Sequence, residues 1–298
     1  MKAIYTQNLT KKYKKKTAID NVSLSIEEGE IYGFIGPNGA GKSTTIKLLM
    51  NFIYPDEGTA EIFGLDSVRD AKKIREMTGY VSSDVRFYPQ MNTYQLLETV
   101  CDFHQIKNMK KTIDYYIEKF DIDPKKKSAE LSLGNKKKIA IVAALLIKPR
   151  LLILDEPTNG LDPLMQHRLF EEIEQKNKEG MTIFLSSHDL NEIQQHANSA
   201  AFIRQGKIIT VQDIQSERSL GKIVQLSGSH LDPRIFKIPG IQLLKQEDNS
   251  ARLLVNLSKQ QLIALISDKS IEDFSVTVPN LEDQFMSLYE GGNQDDSL

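Results

Sequence analysis

The residues with the most chemistry in this 298-residue chain form one short run, Gly36-Pro37-Asn38-Gly39-Ala40-Gly41-Lys42-Ser43, followed by Thr44. Its glycines let successive backbone N–H groups turn toward an anion, and the Lys42 ammonium adds a fixed charge. The spacing G-x-x-x-x-G-K-[ST] is that of a phosphate-binding loop, in which the lysine reaches the outer phosphates and the Ser43 hydroxyl faces a metal ion. A second run, Leu151-Leu152-Ile153-Leu154-Asp155-Glu156, ends an apolar stretch on two carboxylates. Beside a phosphate loop the pair divides the remaining work, with Asp155 holding the metal and Glu156 polarising a water. Without that loop, two acids before Pro157 would read as the start of a turn.

Such residues act only if elements hold them in place. Short apolar runs at 31–35 and 151–154 predict buried parallel strands, the first leading into the phosphate loop. Stretches of helical spacing at 44–52, 139–147 and 164–177 alternate with them. The pattern predicts an α/β fold, a largely parallel sheet with helices packed on it. Segments 3–9 and 22–26 read instead as exposed antiparallel strands. From about residue 220 the texture changes to four short strands, at 223–226, 241–244, 252–255 and 274–278. A helix at 259–266 precedes the last of them and another at 281–289 follows. The expected division is a nucleotide-handling domain over 1–218 and a small α+β domain over 219–298, with a polar, frayed tail from Gly291.

Composition narrows the function classes. Lys and Arg total 38 against 40 Asp and Glu, a net charge of -2, which argues against coating nucleic acid. The single Cys101 excludes an intramolecular disulfide and a multi-cysteine metal site, and its apolar helical setting at 96–103 reads as core. No apolar leader follows Met1-Lys2-Ala3. The longest apolar run, 139–147, has nine residues, whereas a membrane span needs about 20. The expectation is a soluble chain that does not cross a bilayer. Lysine runs at 11–16, 125–127 and 136–138 read as solvated faces, the first able to attract phosphate.

Further motifs occur in order along the chain. Tyr13 precedes the phosphate loop, Leu131-Ser132-Leu133-Gly134-Asn135 opens a helix, Asn159-Gly160-Leu161-Asp162 follows the acid pair, and Ser186-Ser187-His188-Asp189-Leu190 ends a later strand. Together with the phosphate loop they resemble the ATP-binding subunit of an ABC transporter over about residues 3–215. The resemblance implies a P-loop NTPase core with an antiparallel β subdomain and a helical signature subdomain. It implies ATP and Mg²⁺ as cofactors, with Gly36 to Thr44 cradling phosphate and Ser43 and Asp155 holding the metal. Lys42, Glu156 and His188 would act in hydrolysis, and Tyr13 would stack on adenine. Ser132 and Gly134 would meet ATP held by a partner's phosphate loop, although Ser132 also suits a helix cap. Asp162 belongs to the loop that would cross the dimer seam.

Pro279-Asn280-Leu281-Glu282-Asp283-Gln284-Phe285 resembles the closing element of ABC-2-type exporter ATPases. The implied function is an ATPase that powers export of a drug, antimicrobial peptide or ion by closing a homodimer or pseudo-dimer. Separate transmembrane permease subunits would be the partners, met by segment 85–103, with no nucleic acid. The chain would sit in the cytoplasm, peripheral on the inner face of the membrane.

Departures from the family pattern matter too. Gly79-Tyr80-Val81-Ser82-Ser83 places Ser83 where the family has its metal-relay glutamine; Asp84 is the nearest substitute, and Gln90 does not align. Leu133, Asn135 and Asn159 are milder changes. Two other readings stay open: a soluble ABC ATPase acting on ribosomes or DNA, and an ATP sensor that does not hydrolyse. The single phosphate loop, and the lack of a coiled coil between the loop and the acid pair, weigh against the first. Ser83 keeps the second alive.

Overall fold

The computed structural model describes residues 1–14, 16–214, 222–229 and 231–277. The expected helix at 281–289 and the 279–285 element lie outside the described residues. The chain divides into two compact units, Met1–Gln212 and Asp213–Leu298.

In the first unit, β1 (Lys2–Tyr13) and β2 (Lys16–Glu27) pair antiparallel, and with β4 (Glu57–Ile62) and β5 (Leu65–Asp66) make a sheet ordered β2-β1-β4-β5. These strands are not exposed as expected. Ile4, Leu9, Ile19, Val22, Leu24 and Ile26 are buried, sharing a cluster with Ile46, Leu49, Ile153 and Phe184. Alternation along an antiparallel strand gives one wet face and one core face, and here the core face meets the main sheet and its helix.

The main sheet comprises β3 (Ile31–Ile35), β6 (Thr78–Val81), β7 (Leu151–Asp155), β8 (Thr182–Ser187), β9 (Ser199–Arg204) and β10 (Lys207–Asp213), ordered β10-β9-β3-β8-β7-β6. Pairing is parallel from β9 through β3, β8 and β7 to β6. Every residue of β3, β7 and β8 is buried, which explains their unbroken apolar runs. Each fully buried Leu or Ile side chain stabilises by roughly 1.5–3 kcal/mol. Parallel pairing has a functional consequence. It brings the C-terminal ends of β3, β7 and β8 to one edge, where such sheets bind ligands.

Helices connect the strands: α1 (Lys42–Leu49), α2 (Ala71–Glu76), α3 (Thr93–Phe103), α4 (Lys110–Lys119), α5 (Leu133–Leu146), α6 (Pro163–Lys178) and α7 (Leu190–His196). α3, α4 and α5 pack together as the helical part of this unit, and Cys101 is buried there. The architecture is the α/β P-loop NTPase type that the sequence predicts.

The second unit holds β11 (Lys222–Ser227), β12 (Ile241–Glu247), β13 (Ser250–Val255) and β14 (Asp273–Thr277), ordered β12-β13-β11-β14 with every pairing antiparallel. Its helix α8 (Lys259–Ile266) starts in a capping box formed by Ser258 and Gln261. Val224, Leu226, Leu253, Val255 and Leu265 form its core.

Candidate active site

The phosphate loop leaves β3 and enters α1 through Gly41, whose φ of 117° is open only to glycine at low cost. Space forbids a larger residue as well. A Cβ on Gly36 would lie 2.2 Å from the Ile203 carbonyl, and one on Gly41 would lie 2.7 Å from the Ile19 side chain. The loop is therefore clamped from outside by Ile203 and Ile19.

Lys42 is only 4% exposed. Its Nζ donates to the Gly36 carbonyl at 2.5 Å and the Pro37 carbonyl at 3.3 Å, and it pairs with Glu156 Oε1 at 3.1 Å. The loop lysine and the second acid thus meet directly. Around them lies a cavity of about 450 Å³ lined by Tyr13, Asn38, Gly39, Ser43, Thr44 and Ser83, among others. Gly36, Pro37 and Ala40 complete the loop. Tyr13 is about half exposed at the mouth, with the Lys11 ammonium 5.8 Å from its ring centre.

Asp155 and Glu156 differ although adjacent. Asp155 ends β7, is 1% exposed, and accepts the Ser186 hydroxyl at 2.7 Å on Oδ1. Glu156 leaves the strand with φ of 48°, a sparsely populated conformation for a residue with a side chain. Its N–H donates to the Ser186 carbonyl at 3.1 Å and hydroxyl at 3.2 Å, so β8 holds the turn in place. The Asn159 amide donates to Glu156 Oε2 at 2.6 Å, and His188 Nδ1 stands 3.7 Å from the same oxygen. Burial pushes the Glu156 carboxyl up, but Lys42, His188 and Asn159 outweigh it and hold the group below its usual range. Glu156 is an ionised acceptor fixed by three neighbours. His188 is half exposed and follows β8, which sets its reach toward the acid.

The signature residues do other visible work. Ser132 caps α5, accepting the Asn135 N–H at 3.3 Å, so the capping role expected as an alternative is real. A Cβ on Gly134 would stand 2.1 Å from the Gly160 carbonyl oxygen, so the signature packs on the loop after the acids. Asp162 caps α6 through the Met165 N–H at 3.0 Å, with Pro163 in the first turn. None of Ser132, Gly134 and Asp162 lines the Lys42 cavity.

Ser83 lines that cavity, whereas Asp84 does not; Asp84 is largely exposed and pairs with Arg86 at 2.8 Å. Of the two, Ser83 reaches the cavity, and Asp84 is turned to its neighbour Arg86. The reading of 136–138 as a solvated face also fails. Lys137 is fully buried and Lys138 nearly so, the latter donating to the Asp121 carbonyl at 3.3 Å. Lys137 Nζ donates to the carbonyls of Ser82 (3.0 Å), Ser83 (3.3 Å), Glu156 (3.1 Å) and Asp155 (3.5 Å). Burial pushes this lysine below its ordinary range against the opposing pull of Asp155, Glu156 and Asp84. The helical period could have found it, since Lys137, Ile141 and Leu145 are spaced by four and all are buried.

The profile of the ABC transporter family matches residues 19–159. The bacitracin transport ATP-binding protein BcrA of Bacillus licheniformis is 32% identical over 312 residues, covering 97% of this chain and 98% of its own. This chain belongs to the ABC transporter ATP-binding proteins. The lantibiotic transport ATP-binding protein SrtF of Streptococcus pyogenes is 37% identical over 220 residues, covering 73% of this chain and 93% of its own. A solved ATP-binding subunit of an ABC transporter superposes with a TM-score of 0.68 at 26% identity, over 72% of this chain and 92% of that one. The chain is an ABC-type ATPase that binds ATP. The alignment with BcrA also runs through the second unit, well past the end of the family profile.

Proposed function

We propose that this chain hydrolyses MgATP in the Lys42–Glu156 cavity and uses the cycle to drive export of an antimicrobial peptide or drug through separate permease subunits. The direct pairing of Lys42 with Glu156 carries the catalytic reading. Lys42 takes up charge on the outer phosphates, as a fixed cation does in phosphoryl transfer. Glu156, ionised and oriented by Asn159, accepts a proton from the attacking water, and His188 closes the same side. Magnesium takes hard oxygen ligands, one or two carboxylates with phosphates and water. The Ser43 hydroxyl and the buried Asp155 carboxylate at one sheet edge fit that donor set and would hold the ion, which neutralises developing phosphate charge. Ser132, Gly134 and Asp162 stand apart from the chain's own cavity, which supports a dimer in which each signature completes the partner's site.

The substrate class rests on the end-to-end likeness to a bacitracin transport protein. Among the described residues no helix is long and apolar enough to cross a membrane, so the pathway would come from another chain and this one would dock on the membrane's inner face. An apolar cavity of about 470 Å³ between the 86–91 segment and α3, lined by Phe87, Tyr88, Met91, Leu96 and Ile139, offers the permease a seat.

Steady-state ATPase assays with Mg²⁺ test the site. Glu156→Gln is expected to lower kcat by about 100- to 10,000-fold and to trap an ATP-bound dimer. Wild-type turnover in a monomeric variant overturns the assignment. Affinity purification from native membranes tests the partner: a multi-span protein is expected, and ribosomal proteins without one would overturn it.

A further inference from the structure

Glu156 is held at every polar group. Its N–H goes to Ser186, its carboxylate to Lys42 and Asn159, and its carbonyl to Lys137. The last contact is the unusual one. The left-handed turn at Glu156 takes its carbonyl out of the strand ladder, and a buried carbonyl without a donor is costly. Burying an ammonium without a direct ion-pair partner is costly as well; the carboxylates of Asp155, Glu156 and Asp84 pull on Lys137 only from a distance, and all four of its acceptors are main-chain oxygens. Three N–H donors serve four carbonyls, two on the acid pair and two on Ser82–Ser83. Lys137 itself sits in the second turn of α5, the helix capped by Ser132. One ammonium therefore joins three pieces of chain: the catalytic strand end, the segment that lacks the family's glutamine, and the signature helix.

We propose that Lys137 is a positioning residue for hydrolysis: it fixes the backbone of Glu156 and ties that position to the 82–83 segment and the signature helix. The serines at 82 and 83 need no long side chain for this link, because their carbonyls make it. A displacement of α5 or of residues 82–83 moves the donor that holds the Glu156 carbonyl, and with it the carboxylate. The inference rests on the proposed hydrolytic role of Glu156.

The test compares Lys137→Met and Lys137→Gln with wild type in the full chain, measuring kcat, KM for ATP, and the Kd of ATP on the same preparations. Lys137→Met keeps the buried stem and removes the donors. It is expected to lower kcat by about ten- to a hundredfold, the scale on which a misplaced group loses rate, with KM and Kd within about twofold of wild type. Lys137→Gln restores two donors on a shorter stem and is expected to recover part of the loss. A Lys137→Met kcat within twofold of wild type overturns the proposal. So does an equal fall of kcat and affinity, which is what a merely structural lysine would give. Should Lys137→Met not fold, Lys137→Gln decides: kcat at least threefold down at unchanged Kd supports positioning, and unchanged kcat refutes it. Glu156→Gln run in parallel separates the two failures. If it retains turnover, the hydrolytic reading is wrong; if it is inactive while Lys137→Met is not, only this inference falls.

Discussion

The phosphate loop and the start of the signature helix each bury a lysine against Glu156, and they do so in opposite ways. Lys42 comes from a glycine-built loop, keeps company with a carboxylate, and faces a cavity large enough for a nucleotide. Lys137 comes from the second turn of a helix and donates only to backbone carbonyls in the interior. The first cation can be given up to a ligand, because its present partners compete with phosphate for the same ammonium. The second is tied on all sides, because its four acceptors are main-chain oxygens of the acid pair and of residues 82–83. One is built to exchange partners and the other to keep them.

Lys42→Met probes this difference most strongly. It removes the charge that meets phosphate, so ATP affinity and turnover should both collapse, with kcat down by about 100- to 1,000-fold; titration calorimetry and steady-state kinetics read the two separately. Retained affinity would make the loop lysine as purely internal as Lys137. Gly134→Ala comes next. Its methyl would collide with the Gly160 carbonyl, and overpacking of this kind costs about 1–3 kcal/mol, visible as a lowered Tm together with lost turnover as the 159–162 loop shifts. Ser186→Ala removes the hydroxyl shared by Asp155 and the Glu156 N–H. An unsatisfied buried partner costs about 1–3 kcal/mol, and kcat should fall severalfold with less change in ATP affinity. Lys138→Met is the smallest perturbation and the control. This neighbouring buried lysine donates to Asp121, away from the acid pair, so stability should fall by about 1 kcal/mol with kcat and KM unchanged. A fall in kcat there would show that any buried lysine of α5 matters alike, and the contrast would dissolve.

Legibility followed locality. The phosphate loop could be read because its function needs consecutive residues in one strand–turn–helix, and the glycines record that need. The strands β3, β7 and β8 could be read because burial on both faces leaves unbroken apolar runs. The lysine run at 136–138 was misread because charge was counted along the chain and not around the helix; a stripe through Lys137, Ile141 and Leu145 marks it as inward. Ser186 carried no such mark, since its importance comes from β8 lying beside β7 in the parallel sheet.

By itself, then, the sequence determined the phosphate loop, the acid pair, the alternation of strands and helices, and the four-strand pattern of the second unit, since each depends on neighbours a few residues apart. Only the tertiary structure decided which partners Glu156 has. They come from the phosphate loop, β8 and α5, segments far apart in the chain that meet because parallel strands gather their C-terminal ends at one edge, and from Asn159, three residues along the chain. It decided likewise that Lys137 faces inward and Asp84 outward, because a charged side chain enters the interior only where donors or acceptors already wait for it.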